Sequence, residues 1–163
     1  MDIEPIAAAI HDTWRALSRA EGWSLSPALD RPFAHLPNEA KADSRAAARR
    51  IPVVLAVARL GIRPTGEAGA EVLAAAEVRE RLERAMEVMA AAEHDGWMAT
   101  RAAAGWRWGE IRDDAGRRHP SMKPYAELAE TEKAKDRSNV RHYPEFVARA
   151  GYDFVSLCAP GPE

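Results

Sequence analysis

Five tryptophans in a chain of 163 residues act as a ruler, and they measure an internal duplication. Ile10-His11-Asp12-Thr13-Trp14 recurs 83 residues later as Glu93-His94-Asp95-Gly96-Trp97, and Gly22-Trp23 recurs at the same offset as Gly105-Trp106. Two matches at one spacing are hard to obtain by chance, and a repeat constrains the fold before any local pattern does. After a shift in offset, Pro32-Phe33-Ala34-His35-Leu36 lines up with Pro124-Tyr125-Ala126-Glu127-Leu128. Glu39-Ala40-Lys41-Ala42-Asp43 then matches Glu132-Lys133-Ala134-Lys135-Asp136, and Arg50-Ile51-Pro52 mirrors His142-Tyr143-Pro144. Each copy reads as a helix bearing His-Asp-x-Trp, a Gly-Trp exit, a Pro-aromatic turn, a charged helix start, and a helix closed by Gly61 or Gly151. The copies differ in one place: the second carries an excursion, Trp108 to Pro120, where the first has almost nothing.

Local patterns fill in this frame. Ile3, Ile6, Ile10, Trp14 and Leu17 step by three and four, which places one apolar stripe on a helix ended by Gly22. Trp14 and Trp97 fall on such stripes and read as core residues. Asp114-Ala115-Gly116 suggests a small hairpin or extended excursion. Pro52 should interrupt or kink its helix, or mark a fresh start. Residues 68–85 read as a charge-laced helix running into the first helix of the second copy, with acid–base pairs three and four apart. Alanine is frequent and β-branched residues are sparse, so the fold class expected is mainly α with short β-strands.

Bulk properties exclude several function classes. Net charge is −2, with 23 basic and 25 acidic residues, so no overall field exists to hold nucleic acid. No stretch reaches the ~20 apolar residues needed to span a bilayer, and no membrane role is expected. One cysteine, Cys158, rules out a disulfide within the chain and fits a reducing compartment; a cytoplasmic location is expected. No nucleophile elbow, phosphate loop or dinucleotide glycine motif is present, so no cofactor and no enzyme activity are expected. His11-Asp12 and His94-Asp95 resemble the doublet of metal phosphohydrolases, but His35, His119 and His142 lack ligand spacing. The repetition of the doublet favours a structural role, a helix side chain bonding to a neighbouring turn.

Seven short motifs in the second copy occur in a consistent order: Glu93-His94-Asp95-x-Trp97, Gly105-Trp106-x-Trp108-Gly109, Ile111-Arg112-Asp113-Asp114, His119-Pro120, Pro124-Tyr125-x-x-Leu128, Glu132-Lys133 with Asp136-Arg137, and Gly151-Tyr152. Together they resemble the ryanodine-receptor repeat (RyR) domain. Copy one matches more loosely, through Trp14, Gly22-Trp23, Pro32-Phe33, Leu36, Asp43, Pro52 and Gly61. The resemblance implies a tandem pair in a stand-alone protein of bacterial or phage type. It implies a first repeat over 1–62, a helical linker over 63–85, a second repeat over 86–157 and a tail over 158–163, with the repeats related by a pseudo-twofold axis. No pore segment is present, so channel activity is not carried over.

The resemblance also implies a ligand. Receptor pairs of this family hold an adenine nucleotide and a flat drug-like molecule between the halves, flanked by the tryptophans of the Gly-Trp motifs. On that pattern Trp23 and Trp106 are the stacking residues, each stack worth roughly 1–3 kcal/mol. Trp108 belongs to the same block, Arg112, Arg117, Arg118 and Lys123 crowd the excursion where a phosphate could be clamped, and His119 is counted with the ligand-binding residues. The expected function is a non-catalytic sensor that binds a nucleotide or nucleotide-derived small molecule. The alternative is a protein-interaction or structural module with a filled interface, for which the methionines near the linker helix, Met89 among them, offer a surface for homo-oligomerisation.

Overall fold

A computed structural model describes residues 1–22 and 26–157 and shows a mainly helical protein with a few short strands. Helix α1 spans Glu4–Ala20 and α2 spans Asn38–Val57, with a 3-10 turn at Phe33–His35 between them. Strand β1, Leu60–Pro64, follows. Helices α3, Ala75–Arg84, and α4, Met86–Ala103, lead into the excursion, which carries β2, Arg107–Trp108, and β3, Arg118–His119. A second 3-10 turn at Tyr125–Glu127 precedes α5, Glu130–Arg141, α6, Tyr143–Arg149, and β4, Tyr152–Ser156.

The apolar stripes meet in one continuous core. Ile6, Ile51, Val54, Leu55 and Leu60 pack with Met86, Met89, Val140, Tyr143, Phe146 and Val147 in a single buried cluster. Burial of this kind is worth roughly 25 cal/mol per Å² of apolar surface. Beside this core β1 and β4 run antiparallel, with Ile62 opposite Phe154.

Several local expectations are corrected. Helix α2 runs through Pro52 without a break, whereas Pro144 sits in the first turn of the separate helix α6. Proline needs no N–H in a first turn, so Pro144 is the less costly placement. Gly61 does not close a helix; it lies in β1, and Arg59 takes the left-handed turn at φ 54° instead. A side chain at Gly61 would meet Leu157 Cδ2 at 2.8 Å, so the glycine serves the strand's close approach. The helix expected over 68–85 occupies only 75–84, and Val72 instead bridges to Val155 beside the sheet. In the excursion β2 and β3 pair in parallel rather than as a hairpin, with a tight antiparallel bridge between Asp113 and Arg118.

The charged helix starts also align one residue away from the expected register. Lys41 lies over the Phe33 ring and Lys133 over Tyr125, while Arg45 pairs with Glu4 and Arg137 with Glu87. By these matched contacts Ser44, not Asp43, aligns with Asp136. Met89 is 0% exposed, so it cannot be the self-association surface that its sequence context suggested.

Candidate ligand-binding cleft

A cleft of about 550 Å³ opens among α1, α2, α4 and α5. Trp14 on α1 and Trp97 on α4 both line it. Each is half-buried and lies outside the core cluster, which corrects the reading of both as core residues. The stripe assignment failed because an amphipathic helix at the edge of a cleft has an apolar face that turns from core to ligand space without a change of residue type.

Each indole is held by the histidine one turn before it. Residues three apart on a helix are neighbours, and here His11 lies 5.9 Å from Trp14 and His94 lies 5.5 Å from Trp97 between ring centroids. The far nitrogen of each imidazole is anchored to a turn: His11 Nε2 meets the Arg31 carbonyl at 2.8 Å, and His94 Nε2 meets the Lys123 carbonyl at 2.8 Å. Both carbonyls immediately precede the proline of a Pro-aromatic turn. The histidine of each doublet thus places a helix against a turn and orients a tryptophan. Among the described residues no group of three or more His, Cys, Asp and Glu side chains could hold a metal ion.

His94 is also tied to α5, with Nδ1 3.4 Å from Asp136 Oδ2. Burial pulls the imidazole pKa down, but the hydrogen bonds to Asp136 and to the Lys123 carbonyl outweigh it, and the net shift is upward from 6.5. Burial raises the Asp136 carboxyl in turn, against the opposing pull of His94. A histidine whose folded pKa is raised contributes stability that is fully present below about 6.5 and is lost as pH rises through the folded value. Asp136→Asn is expected to lower the His94 pKa, because burial then loses its main opponent. Side-chain ¹⁵N NMR titration reads this directly. The stability difference between wild type and variant should shrink as pH climbs above the wild-type His94 pKa.

The polar furniture of the cleft comes mostly from the second half. Arg101, four residues after Trp97, lies with its guanidinium 5.8 Å from the Trp97 ring and 5.0 Å from the Trp106 ring. It pairs with Asp43 of α2 at 2.7 Å. The His119 ring stands steeply inclined to Trp97, with centroids 5.2 Å apart, and to Trp106 at 6.3 Å. Its Nδ1 accepts the Ser121 N–H at 3.1 Å, which leaves the ring proton on Nε2. Burial, with the positive charges of Arg112 and Arg101, holds His119 below the ordinary imidazole range, so at neutral pH it is an uncharged donor.

The lining reaches a buried charge cluster. Glu93, its side chain 4% exposed, accepts from Arg50 at 2.7 Å, from Asn139 at 3.2 Å and from the Tyr143 hydroxyl at 2.7 Å. Burial, reinforced by the Glu93 charge, drives the Tyr143 hydroxyl well above its usual pKa, so it remains a donor. Gly96 makes room for this arrangement: a Cβ there would lie 2.3 Å from Arg50 Cδ.

The residues singled out from sequence are distributed unevenly around this space. Arg112 and His119 line the cleft and Lys123 does not, although Arg112 is also paired with Asp114 at 2.7 Å on the exposed excursion. Trp106 stands behind Arg101 and His119 and is not part of the lining. Trp108 is 54% exposed, and neither it nor Arg118 lines the cleft. Arg117 donates to the Ala104 carbonyl and so caps the end of α4. Trp23 lies outside the described residues. Sequence reasoning passed over Trp14, Trp97 and Arg101 as cleft residues. The signal for Arg101 was its spacing, since four residues beyond a tryptophan is the same helical face.

A family model described as the RyR domain matches residues 73–156. This chain belongs to the RyR domain family. The matched span runs from just before α3 to the end of β4, so Trp97, Arg101, Trp106 and His119 lie in RyR-domain sequence. Trp14, Asp43 and Arg50, which complete the cleft, come from the part of the chain that precedes the match. No helix among the described residues of this RyR-domain protein is long and apolar enough to cross a membrane.

Proposed function

We propose that this protein is a non-catalytic receptor for a nucleotide or nucleotide-derived small molecule, bound in the cleft between two RyR-type repeats, 1–62 and 86–157, that are joined by a helical linker over 63–85. The observation that carries the proposal is the pair of half-buried tryptophans, Trp14 and Trp97, opening onto one cleft with Arg101 beside the second. Aromatic walls suit a flat base, a guanidinium suits a phosphate, and His119 Nε2–H supplies a neutral donor. The volume, about 550 Å³, falls within the range of small-molecule sites.

Matched contacts support the duplication. The His-to-carbonyl bonds, the lysine-over-aromatic contacts and the arginine–glutamate pairs recur in both halves. The β1–β4 register fits a twofold, since Leu60 faces Ser156 and Pro64 faces Tyr152 about the central Ile62–Phe154 pair. An open cleft also favours a ligand over the alternative, a purely structural module with a filled interface.

The test is a titration of the full chain with AMP, ATP and cyclic AMP, followed by tryptophan fluorescence and calorimetry. Saturable quenching by at least one of them below millimolar concentration is expected. Absence of heat and of quenching with all three at several millimolar would overturn the proposal.

A further inference from the structure

Two ion pairs join the walls of the cleft, and they differ in depth. Arg50–Glu93 is buried, with side-chain exposures of 14% and 4%, and its acid is further fixed by Asn139 and Tyr143. Arg101–Asp43 lies on the solvent side: Arg101 is 23% exposed, whereas Asp43 is 63% exposed. The other acids of the lining have partners of their own, Glu132 with Lys135 at 2.8 Å and Asp136 with His94 at 3.4 Å. Arg112 is engaged by Asp114. Arg101 is thus the cleft cation that lies against the tryptophans and is held by a largely exposed carboxylate from the opposite wall.

We propose that Asp43 is a specificity-determining residue: a carboxylate strap that occupies the anion position at Arg101 and must be displaced by the ligand's own anionic group. The proposal rests on the receptor reading above. Arg101 stacked beside Trp97 and Trp106 is pre-positioned, so it need not move far to exchange one anion for another. A ligand carboxylate gains nothing over Asp43, because it replaces like with like. A phosphate dianion brings more charge and a bidentate geometry that matches guanidinium, so it wins the exchange. A neutral nucleoside leaves the strap closed and binds by stacking alone. Asp43 therefore lowers affinity for every anion by one common factor and leaves neutral ligands unaffected, so it narrows the margin by which a nucleotide outbinds its nucleoside.

Calorimetric titration of the full chain with AMP and with adenosine tests this, using wild type, Asp43→Asn and the charge-retaining Asp43→Glu. Asp43→Asn should bind AMP about two- to fivefold more tightly, as expected when an exposed competing pair is removed. Adenosine affinity should stay unchanged, and Asp43→Glu should stay near wild type for both. Equal or weaker AMP binding by Asp43→Asn, or an equal gain for adenosine, would overturn the role. A ligand-free double-mutant cycle of Asp43→Asn with Arg101→Gln, read by urea denaturation, tests the strap itself. Favourable coupling is expected, and zero coupling sinks the strap even if AMP binds. If coupling is present but no variant binds AMP or adenosine, the receptor reading falls and takes the competitor role with it.

Discussion

Glu93→Ala is expected to destabilise the protein by about 3–5 kcal/mol, the usual cost of breaking a buried pair by removing one partner. The substitution leaves the Arg50 guanidinium, the Asn139 amide and the Tyr143 hydroxyl facing an empty space in the protein interior. Three donors lose one acceptor, and an unmatched buried donor costs more than the hydrogen bond was worth. At the size of this chain the melting temperature should fall by roughly 10 °C. Urea denaturation gives the free energy directly. The double variant Glu93→Leu with Arg50→Met should recover a large part of the loss, because an apolar pair needs no partners. A loss below about 1 kcal/mol for Glu93→Ala would mean that water already satisfies the cluster.

Trp97→Ala is expected to weaken nucleotide binding by about five- to 150-fold, from roughly 1–3 kcal/mol for a lost stack. Trp14→Ala should act in the same direction from the other wall. Trp106→Ala should cost less, because this ring stands behind Arg101 rather than on the cleft surface. Circular dichroism and thermal melting check that the variants remain folded. The reverse order, with Trp106 essential and Trp97 dispensable, would return the ligand to the Gly-Trp motifs and remove it from this cleft.

Several local contacts were legible because two stretches of the sequence carry the same residue types at matching spacing. The paired His-Asp-x-Trp helices, the Pro-aromatic turns and the order of elements all follow from residues whose spacing recurs. The structural role of the His-Asp doublet was legible for the same reason, and the 2.8 Å bonds to the Arg31 and Lys123 carbonyls are its physical content. The positions of Trp14 and Trp97 were not legible. Periodicity reports that a face is apolar, but whether core or cleft covers that face depends on the helix opposite. The Glu93 cluster was equally hidden. Its four members come from α4, α2, α5 and α6, and their meeting depends on tertiary packing that no local pattern encodes. Gly61 misled because a glycine after a helix reads as a cap, whereas Arg59 tolerates the left-handed turn two residues earlier.

The pairing of β1 with β4 carries a consequence for biogenesis. Leu60 finds its partner in Ser156, so the sheet joins segments separated by more than half of the chain. Contacts of such long sequence separation form slowly, and a ribosome delivers them last. The edge of β1 must wait, unpaired and open to other strands, until residue 156 has left the exit tunnel. A truncated chain released after residue 150 would therefore hold nearly all of its helices and still offer that edge to a neighbouring chain, so aggregation should concentrate in the products that stop just short of β4.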